Sequence, residues 1–314
     1  MMIRRLFVVF ACFAAVEAGA APTALDASKL QLSSANVVVV DAGDGRAVYA
    51  KAADEVTPIA SLTKLMTAMV VLDAAQPGDD PIAVDMDDFD YLKGSHSRLR
   101  MGATLTRDEM LRLALMASEN RAASSLARHY PGGLLAFVAA MNAKAQSLGM
   151  TRTHYEDPTG LSPRNVSTAN DLAKLVRAAA DYPLIREYST TPAHYVEVQP
   201  TGQTIGFSNS NALVKSGAWD IQLQKTGYIR EAGRCVVMLA TIASRPMVIV
   251  LLDSIGKFTR LGDAQRVKYW LETGDAMPAP LARHAVQKSA PKTSKASPRR
   301  VQGKIAAAGK SPRG

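Results

Sequence analysis

Ser61 and Lys64 stand three residues apart in Pro58-Ile59-Ala60-Ser61-Leu62-Thr63-Lys64-Leu65-Met66, and Lys64 is the single charged residue between Glu55 and Asp73. So apolar a stretch belongs in a core, where an ammonium group loses its hydration. Desolvation lowers a lysine pKa and turns a cation into a proton acceptor. In a helix, a spacing of three sets Ser61 on the same face one turn away. A weak nucleophile beside a desolvated base is the equipment of covalent catalysis. The same residues also fit an ordinary buried helix from which Lys64 snorkels to solvent, and the pair alone does not separate the two readings.

Two further motifs shift the balance. Ser118-Glu119-Asn120 falls between helical runs, where a hydroxyl and an amide can project from a connection. Lys225-Thr226-Gly227 falls on a predicted strand, and its glycine permits close approach of another backbone. Taken singly, the first reads as a helix cap and the second as a surface turn. In the order Ser-x-x-Lys, Ser-x-Asn, Lys-Thr-Gly they form the set found in penicillin-binding proteins and class A β-lactamases.

The elements that must hold these motifs follow from patterning. Asn36–Asp41 and Arg46–Ala50 flank Gly43-Asp44-Gly45 and read as a β-hairpin. The Ser61 helix comes next. Thr106-Arg107-Asp108-Glu109 is a capping box opening a helix to about Met116. Helices are expected over 120–129, 134–148 and from Thr168 to Tyr182, then strands over 223–229, 234–242 and 247–253, and a last helix over 257–271. Strands at both ends of the body with helices between them predict an α+β fold. It has one antiparallel sheet of N- and C-terminal strands, flanked by helices, with an inserted helical lobe. The mouth of the Ser61 helix then lies between sheet and lobe, a common place for a cleft.

Over residues 35–275 the chain resembles the low-molecular-mass penicillin-binding proteins, the D-alanyl-D-alanine carboxypeptidase and endopeptidase family. It looks most similar to the periplasmic DD-endopeptidases, through Ala60–Met69, Met116–Ala123, Asp157-Pro158-Thr159-Gly160-Leu161 and Lys225–Ile229. Glu119 departs from the family pattern, which more often has Asp or Gly there; its side chain is expected to point away from the cleft. The resemblance implies that Ser61 forms an acyl-enzyme with a D-alanine carbonyl and that neutral Lys64 takes its proton. It implies that Ser118 relays the proton to the leaving amine and that Asn120 holds the substrate amide. Lys225 and Thr226 would bind a terminal carboxylate beside Gly227, and the N–H groups of Ser61 and Tyr228 would form the oxyanion hole. The implied partners are peptidoglycan stem peptides, with β-lactams as inhibitors. No accessory C-terminal domain or amphipathic anchor follows the body, which by resemblance favours the endopeptidase type.

The chain ends carry a different message. Arg4 and Arg5, the apolar run Leu6–Val16 and the small residues Ala18-Gly19-Ala20 have the form of a secretory signal over residues 1–20. A short leader, 21–34, precedes the body. The apolar run is too short to span a bilayer as a mature helix. The expected location is the periplasm. Cys12 belongs to the removed segment, which leaves Cys235 in a buried strand and excludes an intramolecular disulfide. The net charge is +9, yet residues 281–314 hold nine Lys or Arg and no acid, so the body is close to neutral. The segment 276–314 therefore reads as a disordered basic tail, able to contact an anionic wall polymer or membrane surface. Export makes nucleic acid an unsuitable partner.

Rival functions lack the residues they need or leave residues unexplained. A class A β-lactamase needs a glutamate to activate the deacylating water, and Glu156–Asn165 lacks the Glu-x-x-Leu-Asn pattern. A catalytically silent wall-binding protein would not need every reactive residue. The histidines at 96, 129, 154, 194 and 284 show no His-Glu-x-x-His spacing, so no metal or other cofactor is expected.

Overall fold

The computed structural model describes residues 25–278. The predicted signal and nearly all of the predicted tail lie outside them. Five strands make the central sheet: β1 (Asn36–Asp41), β2 (Ala47–Lys51), β3 (Asp220–Ile229), β4 (Gly233–Ile242) and β5 (Arg245–Ser254). Their order is β2-β1-β5-β4-β3, antiparallel throughout. The first strand is thus locked to the last, with Asn36 opposite Leu252 and Asp41 opposite Met247.

Side chains alternate across a strand, and here both faces are buried, which is why β1 reads as the unbroken run Val37–Val40. Val38, Val237, Val248 and Val250 face the helical lobe. Val37, Val236, Ile249 and Leu251 face the last helix, around Trp270. Trp270 Nε1 donates to the Asp26 carbonyl at 3.0 Å, and Ser34 Oγ donates to Asp263 at 2.7 Å. The packed body therefore starts ahead of the expected boundary at 35, and Leu30 is already buried.

The lobe contains α1 (Thr63–Asp73), α2 (Arg107–Met116), α3 (Asn120–Arg128), α4 (Gly133–Ser147), α5 (Ala169–Ala179) and α6 (Pro183–Thr190). A short α7 (Ala212–Lys215) and the C-terminal α8 (Thr259–Thr273) follow. The capping box of α2 forms as its sequence dictates, with Thr106 Oγ1 accepting from the Glu109 N–H. Two differences from expectation have clear causes. The helix expected to run from Thr168 to Tyr182 stops at Ala179, and α6 starts afresh with Pro183 at its first position, where a missing N–H costs nothing. The ribbon Ala193–Val198 with Gln203–Ser208 was not anticipated, although buried Val196 and Val198 alternate with exposed Tyr195 and Glu197 as in a half-buried strand.

Candidate active site

Ser61 sits in a single 3-10 turn, Ala60–Leu62, that leads directly into α1. Every residue of α1 from Thr63 to Val71 is buried, so Lys64 has no route to solvent and its exposure is 0%. The snorkelling alternative is thereby removed. Lys64 Nζ donates to Ser61 Oγ at 3.0 Å, to Asn120 Oδ1 at 2.7 Å and to the Thr159 carbonyl at 2.7 Å. Burial lowers its pKa from 10.5 to about 8, while the charges of Asp157, Glu119 and Asp90 pull partly the other way.

The turn that presents Ser61 is held by neighbours cut to fit. Ala60 takes a left-handed φ of +48°, a strain that persists only when its surroundings enforce it. A Cβ on Gly160 would come within 1.9 Å of the Ala60 carbonyl oxygen, and Gly160 itself has φ +81°. A Cβ on Gly227 would approach Ser61 N to 3.1 Å. Two glycines from separate segments therefore let backbones close on the serine from both sides.

The segment 157–165 forms a clamp. Asp157 Oδ1 accepts from the N–H groups of Thr159 and Gly160, and Oδ2 from Ser162 N–H. The buried Asn165 uses its whole amide. Its Oδ1 accepts from Glu156 and Asp157 N–H, while Nδ2 donates to Asp157 O and to Thr63 Oγ1. Thr67 Oγ1 donates to Pro158 O at 2.6 Å. These bonds fix the Thr159 carbonyl that accepts a hydrogen bond from Lys64 Nζ.

The second motif spans the α2–α3 connection. Ser118 adopts φ +61°, which turns its hydroxyl toward Lys225 Nζ, the donor at 2.8 Å. Glu119 is buried and N-caps α3, accepting from Arg121 N–H. Asn120 is oriented from both ends, with Oδ1 on Lys64 and Nδ2 donating to Ser95 Oγ at 2.9 Å.

The third motif lies on β3. Lys225 is 0% exposed, also donates to the Thr226 carbonyl at 3.0 Å, and has its pKa driven down by burial and by the charges of Lys64 and Arg260. Thr226 Oγ1 donates to Ser210 Oγ at 2.8 Å. Tyr228 is 55% exposed, its ring under the Arg234 guanidinium. The sequence-predicted residues Ser61, Lys64, Ser118, Asn120, Lys225, Thr226 and Gly227 thus form one connected cluster, with Tyr228 at its margin. Sequence reasoning gave no role to Ser95, Thr159, Asn165, Ser210 or Arg260. Buried Nε and Nη1 of Arg260 find no partner among the described residues. Only the Asp157–Leu161 stretch carried a signal; the others are brought in by tertiary structure.

Elsewhere, Cys235 is buried and its thiol is pushed up to about 12 by desolvation. Among the described residues no group of three or more His, Cys, Asp or Glu is placed to hold a metal.

A hydroxyl hydrogen-bonded to a buried, low-pKa amine at the seam of sheet and helical lobe is the arrangement of a serine acyl-transfer enzyme. The model of the D-alanyl-D-alanine carboxypeptidase family (peptidase family S11) matches residues 23–256. A D-alanyl-D-alanine endopeptidase of Pseudomonas aeruginosa is 47% identical over 280 residues, 89% of this chain and 90% of the relative. Another, of Escherichia coli, is 48% identical over 277 residues, 88% of each. A crystal structure of a Streptomyces DD-transpeptidase superposes with a TM-score of 0.72 at 28% identity, covering 77% of this chain and 98% of that one. The chain belongs to this family of penicillin-binding serine peptidases, which hydrolyse D-alanyl peptide bonds of peptidoglycan.

Proposed function

We propose that this enzyme works as a DD-endopeptidase that opens peptidoglycan cross-links through an acyl-enzyme on Ser61. The observation that carries the reading is Lys64: fully buried, 3.0 Å from Ser61 Oγ and shifted to about 8, it is placed to serve as general base there. Neutral Lys64 takes the hydroxyl proton as Ser61 Oγ attacks the D-alanyl carbonyl. The N–H groups of Ser61 and Tyr228 receive the oxyanion, a contribution of about 3–4 kcal/mol per donor. The proton passes through Ser118 to the leaving amine. Asn120 holds the substrate amide. Lys225, Thr226 and Arg260, whose Nε and Nη1 lack a partner among the described residues, bind the carboxylate beside the leaving amine. Water then attacks the ester with Lys64 again as base.

The preference for cross-linked substrate is supported by 47% and 48% identity, over 88–90% of each chain, to relatives named endopeptidases. In this reading the chain is exported to the periplasm and its basic tail touches anionic wall polymer or lipid. No helix among the described residues is long and apolar enough to cross a membrane. Purified enzyme incubated with DD-cross-linked muropeptide dimers should release monomers, and Ser61→Ala should abolish release. Products confined to free D-alanine would overturn the endopeptidase assignment.

A further inference from the structure

Lys93 and Glu231 lie 138 residues apart in the chain, yet Lys93 Nζ meets Glu231 Oε1 at 2.6 Å. The chemistry above gives this ion pair no task. Lys93 belongs to the lobe wall of the cleft, two residues before Ser95, whose hydroxyl accepts from the Asn120 amide. Glu231 belongs to the sheet wall, in the turn between β3 and β4, three residues beyond Tyr228. The pair therefore bridges the two walls. Among the described residues no other ion pair joins segment 86–128 to the central sheet or its turns. Which end of the cleft it spans follows from residue order on β3. Lys225 and Thr226, which hold the carboxylate in the proposed reaction, come first. Gly227 comes next, packed against Ser61 N, and Tyr228 and Glu231 follow. A strand advances about 3.3 Å per residue, so Glu231 stands no more than roughly 10 Å beyond Tyr228. A long ligand held at Thr226 and bonded to Ser61 thus continues toward the bridge.

Both abutments are fixed independently of the bridge. Asp90 closes the Lys93 loop by accepting from the N–H groups of Leu92, Lys93 and Ser95. Buried Asp88 pins the same loop to α3 through Ser125 Oγ at 2.7 Å and Arg128 Nη2 at 2.8 Å. On the other wall Ile229 pairs with Gly233 across the turn. Ala232 is buried there, its N–H donating to the Ile229 carbonyl at 3.3 Å and its carbonyl accepting from Cys235 Sγ at 3.3 Å. The ion pair itself is the weak link. Both side chains are partly exposed, and exposed pairs shift an equilibrium by a factor of about five at most. Fixed walls joined by a contact so easily broken make a gate, since opening it disturbs neither wall.

We infer that Lys93 and Glu231 are specificity-determining residues, their ion pair a gate that acyl chains extending past the β3–β4 turn must open and that short ones never meet. The inference rests on the carboxylate placement in the peptidase reading, but its test needs no peptide turnover. Two penicillins test it: N-acetylampicillin, and ampicillin carrying a polyethylene glycol chain on the same amine. The readout is the second-order acylation constant of each, measured by competition with a fluorescent penicillin. Lys93→Met and Glu231→Gln should each raise the polymer-to-acetyl ratio about two- to fivefold and leave N-acetylampicillin unchanged, which also shows the variants folded. Lys93→Glu should do the same, and adding Glu231→Lys to it should restore the wild-type ratio. Raising salt from about 0.05 M to about 1 M should erase the difference between wild type and Lys93→Met. A ratio unmoved by both single neutralisations, an equal change for the two ligands, a swapped pair that behaves like Lys93→Glu, or a difference that persists at high salt overturns the gate. Cross-linked muropeptide dimers serve as a separate arm. Wild-type enzyme acylated by both penicillins that releases no product from the dimers would refute the peptidase reading, while the penicillin ratios still decide the gate.

Discussion

The pH dependence of acylation gives the most direct test of Lys64. In the proposed mechanism the reactive form of the free enzyme has this amine neutral. With a pKa of about 8, roughly one molecule in ten is neutral at pH 7 and roughly nine in ten at pH 9, so the second-order acylation constant should rise about tenfold across that span. The direction follows from the cause: desolvation penalises the cation, so the proton leaves below the ordinary lysine range. Lys225 supplies a control. The charge of Lys64 helps drive the proton off Lys225, whereas Lys64 is shifted by burial and by Asp157, Glu119 and Asp90, not by Lys225. Lys225→Met should therefore leave the rising limb in place while weakening ligands that carry a carboxylate. A bound carboxylate favours the protonated form of Lys225. Stopped-flow acylation with a fluorescent penicillin between pH 6 and 9.5 measures the limb. Lys64→Arg should lose acylation while melting close to wild type, since arginine does not deprotonate. A flat profile from pH 6.5 to 9, or normal labelling of Lys64→Arg, would refute the assignment of Lys64 as base.

Three further outcomes are expected. Gly160→Ala places a methyl 1.9 Å from a backbone oxygen at a left-handed φ, so its melting temperature should fall by well over the shift that about 2 kcal/mol produces, with penicillin labelling lost; thermal melts and gel labelling would show it. Ser95→Ala removes the acceptor that orients the Asn120 amide and should lower kcat about tenfold, an effect of roughly 1–1.5 kcal/mol, with a smaller change in KM; equal kcat for wild type and variant would dismiss Ser95 as a positioning residue. Cys235, buried and shifted to about 12, should resist iodoacetamide in the folded enzyme for hours at pH 8 and react once guanidinium is added; rapid alkylation without denaturant would contradict its burial.

The sequence carried the proposed reactive groups and the sheet better than it carried the supports. Ser61 and Lys64 were legible because a lone charge in an apolar run is conspicuous, and β3 to β5 because β-branched runs between turn residues are. Ser95 and Ser210 carried no local signal, since each acts through one hydrogen bond to a residue far along the chain, Asn120 and Thr226. Arg260 looked like any surface arginine of a final helix; its partial burial comes from packing of α8 on the sheet. Helix ends were misplaced where propensity ran on past a tertiary boundary, as at Ala179. Glu119 was expected to turn aside, and it does cap α3, but its charge still reaches Lys64.

The pairing of β1 with β5 also sets a clock for assembly. The chain is synthesised from its N-terminus, so Ser61 and Lys64 emerge early, whereas the strand that completes the sheet against β1 comes some two hundred residues later, after Lys225 and Thr226. Contacts so distant along the chain form slowly and late. Until β5 docks, β1 has only its hairpin partner, and the wall that brings Gly227 against Ser61 has no place to stand. An unfinished chain therefore holds its nucleophile without the cleft that would make it reactive, and hydrolytic power arrives only with the last strand.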